Sequence, residues 1–245
     1  MQHEVATLVK CLGLIAICLM AISLGQQALV HSGIVGTPIW LLDADVERSL
    51  PTWFSVVLLA LASVSLALVA RSHLKSGSRH GLHWALLAAG FLTMSVDEHL
   101  ELHERIGSSL SSSNYSLGAL IYWLPIPLVL AAGIIFWRFL SSLPIGVRNG
   151  LVIAGGLYII GVVAIELVLS TVLGAPSHGT FAGALLVTAE EAFELAGVLL
   201  LLLTLTEYLP GKTGTETSVL VEHDEFAATV VDHAPGEPSR AIVRA

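Results

Sequence analysis

The sequence predicts an all-α fold, a polytopic membrane helical bundle with six transmembrane helices. Three observations carry that expectation. Of the 245 residues 55% are hydrophobic and 12% charged, with mean hydropathy +0.82, about half the roughly 25% charge of a soluble domain. Six segments, 8–30, 53–71, 82–105, 119–140, 150–173 and 181–207, are near the length of about 20 apolar residues that a span needs. The basic residues are also asymmetric. With the N-terminus inside, inner segments hold Lys10, Arg71, Lys75, Arg79, Arg138, Arg148, Lys212, Arg240 and Arg244, whereas outer loops hold only Arg48 and Arg105.

The first segment contains "SLGQQA", a weak small-residue cleavage signal. Its long apolar run and lone Lys10 favour a retained span over a signal peptide. Cys11 and Cys18 share one face of it and read as small membrane-facing or packing residues, since one helix does not form an internal disulfide at that spacing. The loop 31–52 is long enough for a short interfacial helix around Ile39 to Leu50. Trp53 and Trp123 mark the outer boundary, Trp84 and Trp137 the inner one. Pro125 and Pro127 should kink the fourth span near its outer end. The expected domains are a six-span region, 1–209, and a disordered acidic cytoplasmic tail, 210–245, which lacks a sustained apolar period. The formal net charge of −8 disfavours nucleic acid as a partner; the expected partner is the lipid bilayer. The sequence leaves the oligomeric state open.

The chemistry-bearing residues crowd into two stretches. "SVDEHLELHERIG" (95–107) holds Asp97, Glu98, His99, Glu101, His103, Glu104 and Arg105; "TAEEAFELAG" (188–197) holds Glu190, Glu191 and Glu194. At about 1.5 Å per residue, Asp97 and Glu166 lie about 12 Å below the outer ends of their spans, Glu190 about 13 Å and Glu194 about 20 Å. Three spans thus bring acids to one level in the outer half of the bilayer. At about 100° per residue, Asp97, Glu101 and Glu104 share a stripe with Glu98 on its shoulder, and His99 and His103 form another. Glu190 and Glu194 share a face, with Glu191 about 100° away. Gly183, Ala189, Ala196 and Gly197 would permit close helix approach there.

An ionised acid at mid-bilayer costs at least about 2.5 kcal/mol, and crowding adds repulsion that only protons or cations relieve. Arg105 alone cannot balance this set. Glu101, Glu104 and His103 sit in the last turns of the third span, within reach of headgroups and water, and His99 shares that reading. Asp97, Glu98 and Glu166 lie deeper. His31, His73, His80 and His83 are interfacial or loop residues without an evident partner. His178, in "GAPSHGT", is placed to fold over the cluster.

The stretch "FLTMSVDEHLELHERIG" resembles a recurring, uncharacterised type of bacterial six-span integral membrane protein. That type carries S-x-D-E, a four-residue gap, then H-E, and later E-E-x-x-E-x-x-G. The matching residues are Ser95, Asp97, Glu98, His103 and Glu104, then Glu190, Glu191, Glu194 and Gly197. The resemblance singles out His103 over His99 and Glu104 over Glu101, and implies a bacterial inner (plasma) membrane protein. Better-known sites fit less well. Prenyl-protein proteases would have Arg where Leu195 stands, and a di-iron bundle would have Glu at Val96 or Leu100 to complete E-x-x-H.

Three functions compete. The first is a divalent-metal site (Zn, Mn or Fe) made by Asp97, Glu98, His103, Glu104, Glu190, Glu191 and Glu194, with Glu101, His99, Glu166 and His178 as secondary ligands. Oxygen ligands with one or two imidazoles suit those metals better than Cu(I). An open position on the ion would activate water or oxygen towards a lipid-like substrate. The second is a proton- or cation-conducting transporter or channel using the same carboxylates. The third is a non-catalytic membrane subunit or sensor. The metal site is the leading expectation.

Overall fold

Helix α1 (Gln2–His31) opens the computed structural model, which describes residues 2–102, 105–106, 109–110, 123–165 and 179–208. The chain continues through α2 (Leu50–Lys75), α3 (Gly81–Leu100), α4 (Pro125–Ser141), α5 (Ile145–Ile159) and α6 (Phe181–Tyr208). No strand occurs among the described residues. Three helical stretches are long and apolar enough to cross a membrane: Glu4–His31, Leu50–Lys75 and Ile145–Ile165, of 28, 26 and 21 residues and hydropathy 2.5, 2.4 and 1.7. Helix α4 is apolar but shorter, at 17 residues. The outward faces are themselves apolar: Ile17, Val64, Ile134 and Trp137 are 67%, 58%, 78% and 70% exposed. Water would not stabilise such surfaces; hydrocarbon would.

Helices α2 and α3 form an antiparallel hairpin. Buried Leu58, Ala62, Leu66 and Val69 recur along one stripe of α2, and Gly81, Trp84, Ala88 and Ser95 along α3. Two serines fix the register: Ser63 Oγ donates to the Ala88 carbonyl at 2.7 Å and Ser95 Oγ to the Val56 carbonyl at 2.9 Å. Each satisfies its hydroxyl across the interface, as polar residues do where no water is available. At the far end of the hairpin the fully buried Trp84 meets Phe139 of α4 edge-on at 5.1 Å, and His83 stacks parallel on the same phenyl at 4.9 Å. His80 contacts the Ser142 hydroxyl at 3.1 Å, and His73 stacks on Trp84 at 6.3 Å. These histidines therefore have partners that the sequence did not disclose.

Helices α5 and α6 are also antiparallel, and small residues set how close they come. A Cβ on Gly197 would lie 2.7 Å from the Ala154 carbonyl oxygen and 3.0 Å from the Tyr158 amide nitrogen. One on Gly161 would lie 2.7 Å from Glu194 Cγ and 2.9 Å from the Glu190 carbonyl oxygen; one on Gly150 would overlap Thr204. The three contacts run in opposite directions along the two helices, so the backbones touch over several turns. Beyond Ile159 the helix widens into a π-helical turn, residues 160–165, as it passes the α6 carboxylates. Helix α1 faces this pair through Gly13, which is near Leu199.

Three expectations about local structure need correction. The interfacial helix is only a three-residue 3-10 turn, Trp40–Leu42. Asp43 stops it, because its Oδ1 takes the Asp45 amide at 3.2 Å, and Arg48 turns the chain at φ 66°. Ser49 then caps α2, accepting the Thr52 amide, with Pro51 in the first turn. The helix expected to run to Arg105 as a third span, α3, ends at Leu100, because Glu101 adopts the left-handed region at φ 52° and ψ 38°. Pro125 and Pro127 kink nothing: α4 begins at Pro125, where a missing N–H costs no helical hydrogen bond. The tail 210–245 lies outside the described residues.

A polar clamp ties the 31–49 loop to the last turns of α1. Gln26 exchanges two hydrogen bonds with the Ile39 backbone, at 3.3 and 3.0 Å, and Ser23 Oγ accepts the Ala44 amide at 2.8 Å. Gln27 Nε2 donates to Asp43 Oδ2 at 2.6 Å. Helix α1 is thus continuous through "SLGQQA", and those residues hold the loop. Burial, more than the neighbouring Asp45, raises the Asp43 carboxyl above its ordinary value of 3.8. A carboxyl raised by folding contributes stability that is fully present below the unfolded value and lost as pH rises through the folded one. Lowering the pH from neutral towards 3.8 should therefore tighten the clamp. The protection of the Ala44 and Asp45 amides relative to their intrinsic exchange rates should rise in the wild type on acidification and lose that trend in Asp43→Asn.

Candidate functional site: a carboxyl cluster between four helices

The site draws on the last turn of α3 and the middle turns of α6. Helix α6 supplies Glu190, Glu191 and Glu194, all partly buried. Because Glu191 is about 100° around the helix from Glu190, the set divides between two neighbours. Glu191 faces α2, where the Ser55 hydroxyl donates to its carboxyl; Glu194 faces α5, where the Tyr158 hydroxyl donates. Glu98 of α3 is close enough to act electrostatically on Glu191, Glu194 and Tyr158 together. Glu47, from the clamped loop, acts on Glu191 from above. Gly161 lets α5 come against Glu194, and the π-helical turn begins at that point. Such turns are frequent at functional sites.

Of the residues expected at the site, Glu98 and Glu190 act electrostatically on Glu191 and Glu194. Glu101 and His99 have other partners. Glu101, turned away by its left-handed backbone, pairs with Arg105 at 3.2 Å. Its expected stripe with Asp97 assumed a straight helix. His99 is exposed and packs on Trp53 at 5.0 Å. Asp97 is partly buried one residue before Glu98, and its carbonyl accepts the Glu101 amide at 2.7 Å. His103, Glu104, Glu166 and His178 lie outside the described residues. Among the described residues no three His, Cys, Asp or Glu side chains are grouped so as to hold a metal ion.

Ser55, Tyr158 and Glu47 were missed: Ser55 and Tyr158 carry neutral hydroxyls, and Glu47 lies in the 31–52 loop, outside the spans whose acids share one depth. A signal was present for one of them: Tyr158 is the lone tyrosine within "LVIAGGLYIIGVVAI" (151–165), an otherwise apolar span. The roof of the site is also tied down. His31 presents Nδ1 to the Gln27 carbonyl at 2.8 Å and Nε2 to the Gly179 carbonyl at 3.1 Å, joining the end of α1 to the start of α6. Both partners are acceptors, which a ring satisfies together only when both nitrogens carry protons.

Tyr158→Phe should remove the donor to Glu194 without changing the packing volume. Net loss of one such hydrogen bond is worth about 1 kcal/mol. A lower melting temperature in detergent, with unchanged helical circular dichroism, is the expected result. Unchanged melting would mean that the hydroxyl contributes nothing to the fold.

One family model matches the chain, over residues 11–208, and its description is domain of unknown function (DUF8692). No curated protein and no solved structure matches it.

Proposed function

We propose that this chain, which belongs to the DUF8692 family, is a six-span membrane protein that takes up and passes protons at the Glu98–Glu191–Glu194–Tyr158 cluster. One observation carries the reading: the α6 carboxyls are held by neutral hydroxyls, Ser55 and Tyr158, while facing one another and Glu98. A hydroxyl both donates and accepts, so it serves a carboxyl in either protonation state and can hand a proton on. A carboxyl set committed to a cation would instead need its ligands convergent on one point. Carboxylates inside spans commonly mark proton relays.

What supports six spans is the helix order itself, with α3, α4 and α6 adding to the three long apolar stretches. The basic residues favour both termini in the cytoplasm and the cluster towards the outer face of an inner membrane.

The test is proton flux. Full-length protein would be placed in liposomes containing a pH-sensitive dye, under an imposed potassium diffusion potential. The wild type should acidify or alkalinise the lumen in the direction set by the potential, and Glu194→Gln and Tyr158→Phe should slow that flux about a hundredfold, the low end of a positioned proton carrier's contribution. Equal rates in wild type, variants and empty liposomes would overturn the reading. Stoichiometric Zn, Mn or Fe in the purified protein, lost in Glu98→Gln, would replace it with a metal site.

A further inference from the structure

A second site lies at the opposite end of the α2–α3 hairpin and is independent of the carboxyl cluster. Between the two helices runs a groove of about 480 Å³, lined by Ala67, Ala70, Arg71, Leu74, Ala85 and Ala88, with Lys75 at its mouth. It exists because four alanines stand where larger side chains would fill the gap. Its volume is within the ~300–1,000 Å³ typical of small-molecule sites. Its walls are apolar, and its rim carries two cations one helical turn apart. Both are exposed, and among the described residues neither forms an ion pair.

The position of the groove along α2 says what occupies it. The helix has 26 residues, about 39 Å, against a hydrocarbon thickness of about 30 Å. Arg71 stands about 31 Å along the axis from Leu50, and Lys75 about 6 Å further. If Leu50 marks one boundary, Arg71 and Lys75 reach the headgroup level of the other, Ala70 lies at that boundary and Ala67 about 5 Å on its acyl-chain side. Leu68 and Leu82, beside the groove, are 52% and 62% exposed, so it opens on an apolar outer surface. A soluble anion would use the cations but not the apolar trough below them. We propose that this groove binds one anionic phospholipid from the leaflet at the Lys75 end, with its phosphate on Arg71 and Lys75 and an acyl chain along the alanine trough.

The experiment is native mass spectrometry of full-length protein from nanodiscs of phosphatidylglycerol or phosphatidylcholine, with titration of phosphatidylglycerol into delipidated protein. Wild type should keep one phosphatidylglycerol and no phosphatidylcholine. Arg71→Gln with Lys75→Gln should bind it about thirtyfold more weakly, about fivefold for each interfacial cation. Ala67→Leu, which fills the trough and leaves the charges, should also release it. Arg138→Gln, which removes a cation outside the groove, should bind as the wild type does. Equal retention of phosphatidylcholine, unchanged binding in Ala67→Leu, or as large a loss in Arg138→Gln would overturn the site. Release of bound lipid by inorganic phosphate alone would show an anion site without a lipid, and would equally overturn it.

Discussion

Replacing Gly197 by leucine is expected to separate α5 from α6 and to destabilise the protein by about 3 kcal/mol. Even a methyl group there would meet the Ala154 carbonyl oxygen at 2.7 Å and the Tyr158 amide at 3.0 Å. Those are backbone atoms of a neighbouring helix, so relief requires movement of a whole helix rather than rotation of one side chain. Helices that associate within hydrocarbon gain from dispersion and close backbone approach, both of which fall steeply with distance. Gly197→Ala should show the same direction at smaller size, about 1 kcal/mol. Gly155 supplies the matched control, since a Cβ there meets nothing within 4 Å. Gly155→Ala should be neutral or gain up to about 1 kcal/mol from helix propensity. Thermal unfolding of the three variants in one detergent decides it: equal melting temperatures for Gly197→Leu and Gly155→Ala would mean that α5 and α6 do not pack as described. The consequence also reaches the site. Tyr158 is one of the residues displaced, so its hydrogen bond to Glu194 and the proposed proton flux should fail together.

The sequence made much of this legible, and what it hid has physical reasons. Apolar run length found the helices, because a long apolar helix has few alternatives to lipid or a buried core. Helical angle separated Glu191 from Glu190, and that separation is what sends Glu191 towards Ser55 on α2 and Glu194 towards Tyr158 on α5. The identity of those partners was not legible. Angular arithmetic places residues on one helix, whereas partners depend on the rotation of the next helix about its own axis. Glu101 was misplaced for a different reason. Periodicity assumes continuous helical backbone, and the left-handed turn at φ 52° breaks it at Glu101 itself. The loop clamp escaped notice because Ser23, Gln26 and Gln27 looked like a weak cleavage signal rather than donors and acceptors for Ala44, Ile39 and Asp43. Asp97 and Glu98, adjacent in sequence, could not be ranked from spacing; Glu98 acts on Glu191, Glu194 and Tyr158.

Glu191→Gln should raise the melting temperature at neutral pH, and the sign of that shift separates the two leading accounts of the cluster. Glu191 feels Glu98, Glu190 and Glu47, and Ser55 donates to it. Glutamine keeps the carbonyl oxygen that accepts from Ser55 and has nearly the same shape, so packing and that hydrogen bond survive. What it loses is the capacity to ionise. A buried carboxyl must either carry a charge beside other acids or take up a proton at neutral pH, and both states cost free energy that the unfolded chain does not bear. The amide has neither cost, so the variant should gain on the order of 2 kcal/mol, a rise of about 4–8 °C. A metal site gives the opposite sign. There the cation offsets the repulsion, so removing one ligand weakens its hold and lowers stability, and added metal should raise the melting temperature of the wild type by mass action. The measurement is therefore paired: thermal unfolding of wild type and Glu191→Gln, each with chelator and with added Zn, Mn or Fe. A rise in the variant that is indifferent to metal is the result expected of a proton-carrying cluster. A fall in the variant, with a metal-dependent rise in the wild type, would restore the ion at the centre of the site and assign Glu191 as its ligand.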